Sequence, residues 1–277
     1  METLARVEGF STNTEPDDKV AIALFGKEGS GKTRFCCTAP DPIGFIPLDR
    51  KTRRTVNSIN KELGKQIYMP DDDFVRVSNP MKLATLKDSC GSSMPTKSPG
   101  GHLCCAKHYY RQHVNAVKQA AFTLYEHPSI RTIIIDTGTQ LWEDMLFAEF
   151  GRSQRIMPRD RGAVNQEMID LLNCLSGKNL IITHKAKEVW KNDHPTGKFE
   201  VAGFPHIGYH VNAMVEMAVD AKKKAEDQGR FNLNVHLCQS NPDIQGPNGT
   251  GLLQDDAISF PMLALAMFPD SEAEEWM

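Results

Sequence analysis

"AIALFGKEGSGKTRF", residues 21–35, decides the fold. Its first part completes a short apolar run, 20–25, bounded by glycine, which is the signature of a buried strand. Then come Gly26, four further residues, and Gly31-Lys32-Thr33. A strand that opens into this glycine-rich spacing and then into a helix is a phosphate cradle. Backbone N–H groups must turn inward and approach an anion closely, which side chains would obstruct. In such a loop Lys32 reaches the β- and γ-phosphates of ATP, and the Thr33 hydroxyl binds Mg²⁺. The expected nucleotide contacts are therefore Gly26, Lys27, Glu28, Gly29, Ser30, Gly31, Lys32, Thr33 and Arg34. A short helix is expected from Lys32 to before Pro40.

Outward from the loop, strands and helices alternate. "IGFIPLD" (43–49), "FVRV" (74–77), "RTIIIDT" (131–137) and "NLIITH" (179–184) read as strands. Helical spacing marks 104–127 and 163–175. Residues 211–221 and 231–239, around the turn "EDQGR", read as a β-hairpin. Alternation of this kind implies an α/β fold, a mainly parallel sheet with helices on both faces. The expected organisation is a mobile N-terminus (1–18), a core (19–265) with a flexible insertion at about 88–103, and an acidic tail (266–277) that reads first as a disordered, solubilising end and otherwise as a binder of a basic pocket or groove.

Bulk properties fit one α/β domain. The chain has 277 residues, ordinary apolar and charged fractions, and a net charge of −3. No apolar run approaches the ~18 residues of a membrane span, so no membrane partner is expected. The seven cysteines are scattered or adjacent, unlike a disulfide framework, which points to a reducing cytoplasm. The start of the chain lacks a basic segment followed by an apolar one, so it does not read as a secretory signal.

Three strand tips carry candidate chemistry. "TIIID" delivers Asp136 to a strand's C-terminal end, where open α/β sheets bind ligands, and a carboxylate there holds Mg²⁺ together with Thr33. Asp49 ends the second strand and is the candidate for orienting the attacking water; a turn-capping aspartate is its plainer reading. Thr183-His184 ends another strand, a polar pair positioned for sensing the γ-phosphate with His184 as a candidate catalytic residue; a plain strand-end histidine is the alternative reading.

Together, "GKEGSGKT" (26–33), "FIPLDRKT" (45–52), "TIIIDTGTQLWE" (132–143) and "LIITHKAKEVW" (180–190) resemble the RecA-type ATPase core. They are most similar to the small, phage-encoded RecA-like ATPases of the Rad-recombinase paralogue and single-strand-annealing group. The resemblance covers about 19–240. It implies an oligomeric, ATP- and Mg²⁺-dependent ATPase acting on single-stranded DNA in recombination or annealing. It also implies a host-cell cytoplasmic location if phage-encoded, and a single-strand-binding protein or other recombination partner. Asp49 stands where RecA carries glutamate. Lys27 stands five residues before Lys32, as in partition ATPases of the ParA/MinD type. Glu28 follows where those loops read Lys-Gly-Gly, and "PLDRKTRRT" lacks the aspartates of their next switch segment.

Two stretches are candidate DNA loops. The first, 151–162, carries Arg152, Arg155, Arg159 and Arg161. The second, 184–210, carries Lys185, Lys187, Lys191 and Lys198 with Trp190, Phe199, Phe204 and Tyr209. Lysines neutralise phosphates and aromatics stack on unpaired bases. Solvated loops are the alternative for both. A trans-acting cation is sought in 49–55 or among Lys222, Lys223 and Lys224. Cys90, His102, Cys104, Cys105, His108 and His113 crowd together, but their spacing matches no common zinc finger, and the segment reads first as a flexible insertion. A helicase or loader ATPase, a small-molecule kinase and a non-catalytic nucleotide-dependent scaffold remain rival readings.

Overall fold

Strand β1 (Ala21–Gly26) runs through the interior of a nine-stranded sheet in the computed structural model, which describes residues 19–71, 86–90, 105–152, 156–224 and 227–277. The other strands are β2 (Ile43–Pro47), β3 (Ile67–Tyr68), β4 (Thr132–Asp136), β5 (Asn179–Lys191), β6 (His194–Val201), β7 (Ala213–Val219), β8 (Phe231–Cys238) and β9 (Leu253–Gln254). Their order is β3-β2-β4-β5-β1-β7-β8-β9, with β6 paired to β5 alone. The pairs from β3 to β7 are parallel; β7–β8 and β8–β9 are antiparallel.

The central strands are apolar throughout because both faces are covered. Side chains alternate between two cores. Ala23, Ile133, Ile135, Leu180 and Ile182 face one core, packed by α3 (Ala106–Glu126), α4 (Gly138–Phe150) and α5 (Gly162–Cys174). Ile22, Leu24, Ile134 and Ile181 face the other, under α1 (Lys32–Cys37), α2 (Arg50–Leu63) and α6 (Phe260–Met267). The chain is thus a three-layer α/β protein with a mostly parallel sheet and helices on both faces. β7 and β8 form the expected hairpin. No helix among the described residues is long and apolar enough to cross a membrane.

Several expectations change. The second strand stops at Pro47, so Asp49 lies beyond it as the N-cap of α2. β5 runs on past His184 to Lys191, and Asn192 and Asp193, both with positive φ, turn it into β6. Two left-handed residues of this type make a tight hairpin whose twist suits the strands. The stretch 184–210 is therefore largely a β-hairpin, not a long loop. The tail is docked: Trp276 is buried, stacks on Phe268 at 5.5 Å, and donates from Nε1 to Ser271 Oγ at 2.8 Å. Arg131 donates to the Glu275 and Met277 carbonyls at 2.9 and 2.6 Å. The expected mobile N-terminus (1–18), the strand at 74–77, most of the insertion, His102, Cys104 and Arg155 lie outside the described residues.

Candidate nucleotide site

The loop between β1 and α1 closes on itself around Lys32. Its Nζ donates to the Gly26 carbonyl at 2.7 Å and the Lys27 carbonyl at 2.8 Å, with Ser30 Oγ at 3.4 Å. Gly31 caps α1 with φ of 91°. A side chain there would be strained, so the glycine is required by backbone shape. A Cβ on Gly26 would collide with the Met217 carbonyl of neighbouring β7 and stand 2.7 Å from Ser30 Oγ. Burial lowers the Lys32 pKa, and the nearby carboxylates of Asp136 and Glu28 oppose that shift. Thr33 is the second residue of α1, immediately after Lys32.

Sheet order sets what faces this loop. β5 lies between β1 and β4, so the tip of β5 stands between the loop and Asp136. Asp136 is 4% exposed. The Thr183 hydroxyl donates to its Oδ1, and Leu48 N donates to its carbonyl at 2.6 Å, tying the β2 tip to the β4 tip. Burial raises the Asp136 pKa. Hydrogen bonds from Thr183 and Thr52 and the charge of Lys32 pull it back, and the Asp49 charge pushes it up. A carboxylate this enclosed, held beside a lysine and two hydroxyls, has the chemistry to bind Mg²⁺ through oxygen.

Asp49 is exposed and accepts from Lys51 N at 2.9 Å, the N-cap role. It is also near enough to Asp136 to disfavour that group's ionisation. Both readings of Asp49 thus have a physical basis.

His184 occupies different ground from its assignment. Successive strand residues point to opposite faces. Thr183 reaches Asp136, so His184 turns away. It is fully buried, with Nδ1 3.2 Å from the Ala202 carbonyl and 3.4 Å from Thr139 Oγ1. Burial lowers its pKa from 6.5 to about 4, leaving the ring neutral near pH 7. Nε2 has no hydrogen-bond partner among the described residues. A Cβ on Gly138 would collide with Ile182 and stand 2.9 Å from the imidazole, so that glycine makes room for both. Contacts from His184 to Lys32 or Asp136 are absent among the described residues.

Sequence reasoning missed Thr52, which reaches Asp136 from the first turn of α2. Its spacing of three from Asp49 was the available signal. Also missed was a cavity of about 590 Å³ beside the loop, lined by Gly31, Phe35, Met217, Gln228, Phe231 and Asp256 among others. Its walls are mixed: Phe35, Leu63, Met217, Phe231 and Ile258 are apolar, while Arg34, Asp227, Gln228, Asp255 and Asp256 are polar or charged, and the apolar part offers a surface for a nucleoside.

The remaining loop residues divide. Lys27 Nζ lies 4.2 Å over the Phe199 ring of β6, a cation–π contact that joins the loop to the hairpin. Glu28 and Gly29 are exposed. Arg34 pairs with Glu62 of α2 at 2.8 Å on the surface.

The candidate DNA residues divide too. Arg152 is bound structurally, with Nε 3.1 Å from Asp88 Oδ1 and a guanidinium N–H donating to the Leu86 carbonyl at 2.9 Å. Arg161 lies over the Trp142 ring at 5.5 Å. Arg159 is exposed beside Asp160, at 3.6 Å. On the hairpin, Lys185, Lys187, Lys191 and Lys198 are all exposed, and Lys187 pairs with Glu200 at 3.2 Å. Trp190 and Tyr209 present 63% and 83% of their surface. Phe204 is buried and Phe199 lies under Lys27, so neither is placed to stack on bases.

No family model matches the chain, and no curated protein matches it. Among solved structures the fold is similar to a prototypical ATPase from the type III secretion system of pathogenic bacteria. That likeness has 10% identity and a TM-score of 0.41, covering 73% of this chain and 51% of that one. It is also similar to the genome packaging NTPase B204 of Sulfolobus turreted icosahedral virus 2, solved with ATP-gammaS. Here identity is 11% and the TM-score 0.30, covering 73% of this chain and 76% of that one. The chain thus spans about half the length of the secretion ATPase. Its own loop, sheet order and strand tips define the class: a P-loop NTPase fold.

Proposed function

We propose that this chain is a Mg²⁺-dependent ATPase whose turnover is coupled to single-stranded DNA. The observation that carries the nucleotide half is the convergence of Lys32, Asp136 and Thr183 at the C-terminal tips of β1, β4 and β5. Lys32 would neutralise the β- and γ-phosphates, and Thr33 and Asp136 would hold Mg²⁺. Thr183 orients the Asp136 carboxylate. Asp49 is the residue for orienting water. The cavity beside Gly31 would take the nucleoside.

The DNA half rests on the hairpin. Three exposed lysines and Trp190 extend beyond the sheet on β5, the strand that also carries Thr183, and Lys198 joins them from β6. Phe199 touches Lys27 of the phosphate loop. Nucleotide contact with Lys27 would therefore reach the hairpin through one residue. A recombination or annealing role and assembly into a homo-oligomer belong to this proposal, as the resemblance implies. Fluorescence anisotropy of a labelled single-stranded oligonucleotide tests it. Binding should tighten with Mg²⁺ and ATPγS and weaken as salt rises, by counterion release. Affinity indifferent to both nucleotide and salt would refute the DNA half. A scaffold that binds ATP without turning it over is the reading favoured if Asp49 serves only as the α2 cap.

A further inference from the structure

Away from the nucleotide site, α3 begins at a group of metal-binding side chains. Cys105 is its N-cap and His108 lies three residues on, so both fall on one face of the first turn. Cys90 comes from the preceding segment. That segment is fixed to the helix start by backbone bonds from Ala106 N to the Lys87 carbonyl (2.8 Å) and from Lys107 N to the Asp88 carbonyl (3.0 Å). One ligand atom from each of Cys90, Cys105 and His108 lies within 4.8 Å of the other two.

We propose that Cys90, Cys105 and His108 bind a zinc ion that clips residues 86–90 to the start of α3. Tetrahedral zinc, with Zn–S near ~2.3 Å and Zn–N near ~2.0–2.1 Å, separates a sulfur and a nitrogen ligand by about 3.6 Å. Cys90 Sγ and His108 Nδ1 are 3.7 Å apart. Two thiolates and an imidazole select zinc over the magnesium that serves the nucleotide. Three protein ligands leave one position for water or a further side chain. Binding displaces the two thiol protons to solvent and involves no change of oxidation state. His113, in the same sequence cluster, is engaged elsewhere, with Nδ1 3.0 Å from Asp144 Oδ2.

The clip has a consequence at a distance. Asp88 lies in the clipped segment and pairs with Arg152, which stands at the start of the loop 151–162. Zinc would thereby fix one end of that loop.

The test uses the full chain purified under reducing conditions. Metal analysis by mass spectrometry should find about one zinc per chain. Replacement by Co²⁺ should give the intense visible bands of a tetrahedral site and a thiolate charge-transfer band. Cys90 is exposed, so Cys90→Ser should keep the fold by circular dichroism. It should weaken zinc by more than the ~10–100-fold that outer-shell changes cost. His108→Asn should do the same, which guards against a folding defect peculiar to one variant. A folded, reduced chain with no zinc and no cobalt charge transfer would overturn the proposal. So would zinc undiminished in both Cys90→Ser and His108→Asn, or a Cys90–Cys105 disulfide in protein taken directly from reducing cytoplasm.

Discussion

The two halves of β5 differ in every respect that matters here. Residues 179–184 are buried, lie between β1 and β4, and end beside Asp136. Residues 185–191 leave the sheet, pair chiefly with β6, and are half-buried or exposed. The inner half is fixed by packing on two faces. The outer half is held by hairpin bonds and by the Lys27–Phe199 contact. One continuous strand thus joins a rigid chemical site to a surface element free to meet a partner. Function is expected to divide along the same line.

The sharpest way to break that division is at the inner tip. Asp136→Asn keeps an acceptor for Thr183 and removes the charge that would hold Mg²⁺. ATP turnover should fall by at least ~10²–10³-fold, with the melting temperature little changed. Turnover near wild type would remove Asp136 from the chemistry.

Stability should follow the same boundary. Ile181 is fully buried, and Ile181→Ala should cost ~2–5 kcal/mol in denaturant unfolding. Lys187→Ala on the outer half should stay within about 0.5 kcal/mol, since its ion pair is exposed. Equal costs would mean that the hairpin belongs to the core.

His184 marks the junction and should report on pH. Its folded pKa, about 4, lies below the ordinary 6.5, so the unfolded chain binds the proton more readily. The stability this contributes is complete above about pH 6.5 and is lost as pH falls toward 4, by roughly 3 kcal/mol in all. His184→Gln should flatten that part of the pH–stability curve. A wild-type curve flat across the window would contradict the buried neutral ring.

The outer half should act on binding rather than on turnover or folding. Trp190→Ala should weaken single-stranded DNA binding by ~1–3 kcal/mol and leave DNA-free ATP turnover unchanged. Unchanged DNA affinity would move the interface away from the hairpin.

The same boundary separates what the sequence disclosed from what it hid. β1, β4 and the inner half of β5 were legible because strands buried on both faces are continuous apolar runs. Lys32 and Asp136 follow from their positions on such strands. The outer half of β5 hid behind alternating charges, although Asn192-Asp193 was a hairpin signal. α4 escaped because buried residues surround it, Asp144 included, which erases the usual two-faced pattern. α2 was read as a basic stretch, yet Val56, Ile59 and Leu63 mark its inner face. With α2 went Thr52, since its reach to Asp136 depends on that helix. Thr183 and His184 were read as one polar pair; strand alternation separates them, giving the contact with Asp136 to Thr183 and the interior to His184.

The most direct measurement is ATP hydrolysis with and without single-stranded DNA, on the wild type, Lys32→Ala and Trp190→Ala. The account predicts wild-type turnover that DNA stimulates, no turnover in Lys32→Ala, and basal turnover without full stimulation in Trp190→Ala. Turnover that survives Lys32→Ala, or that DNA never alters, would contradict it.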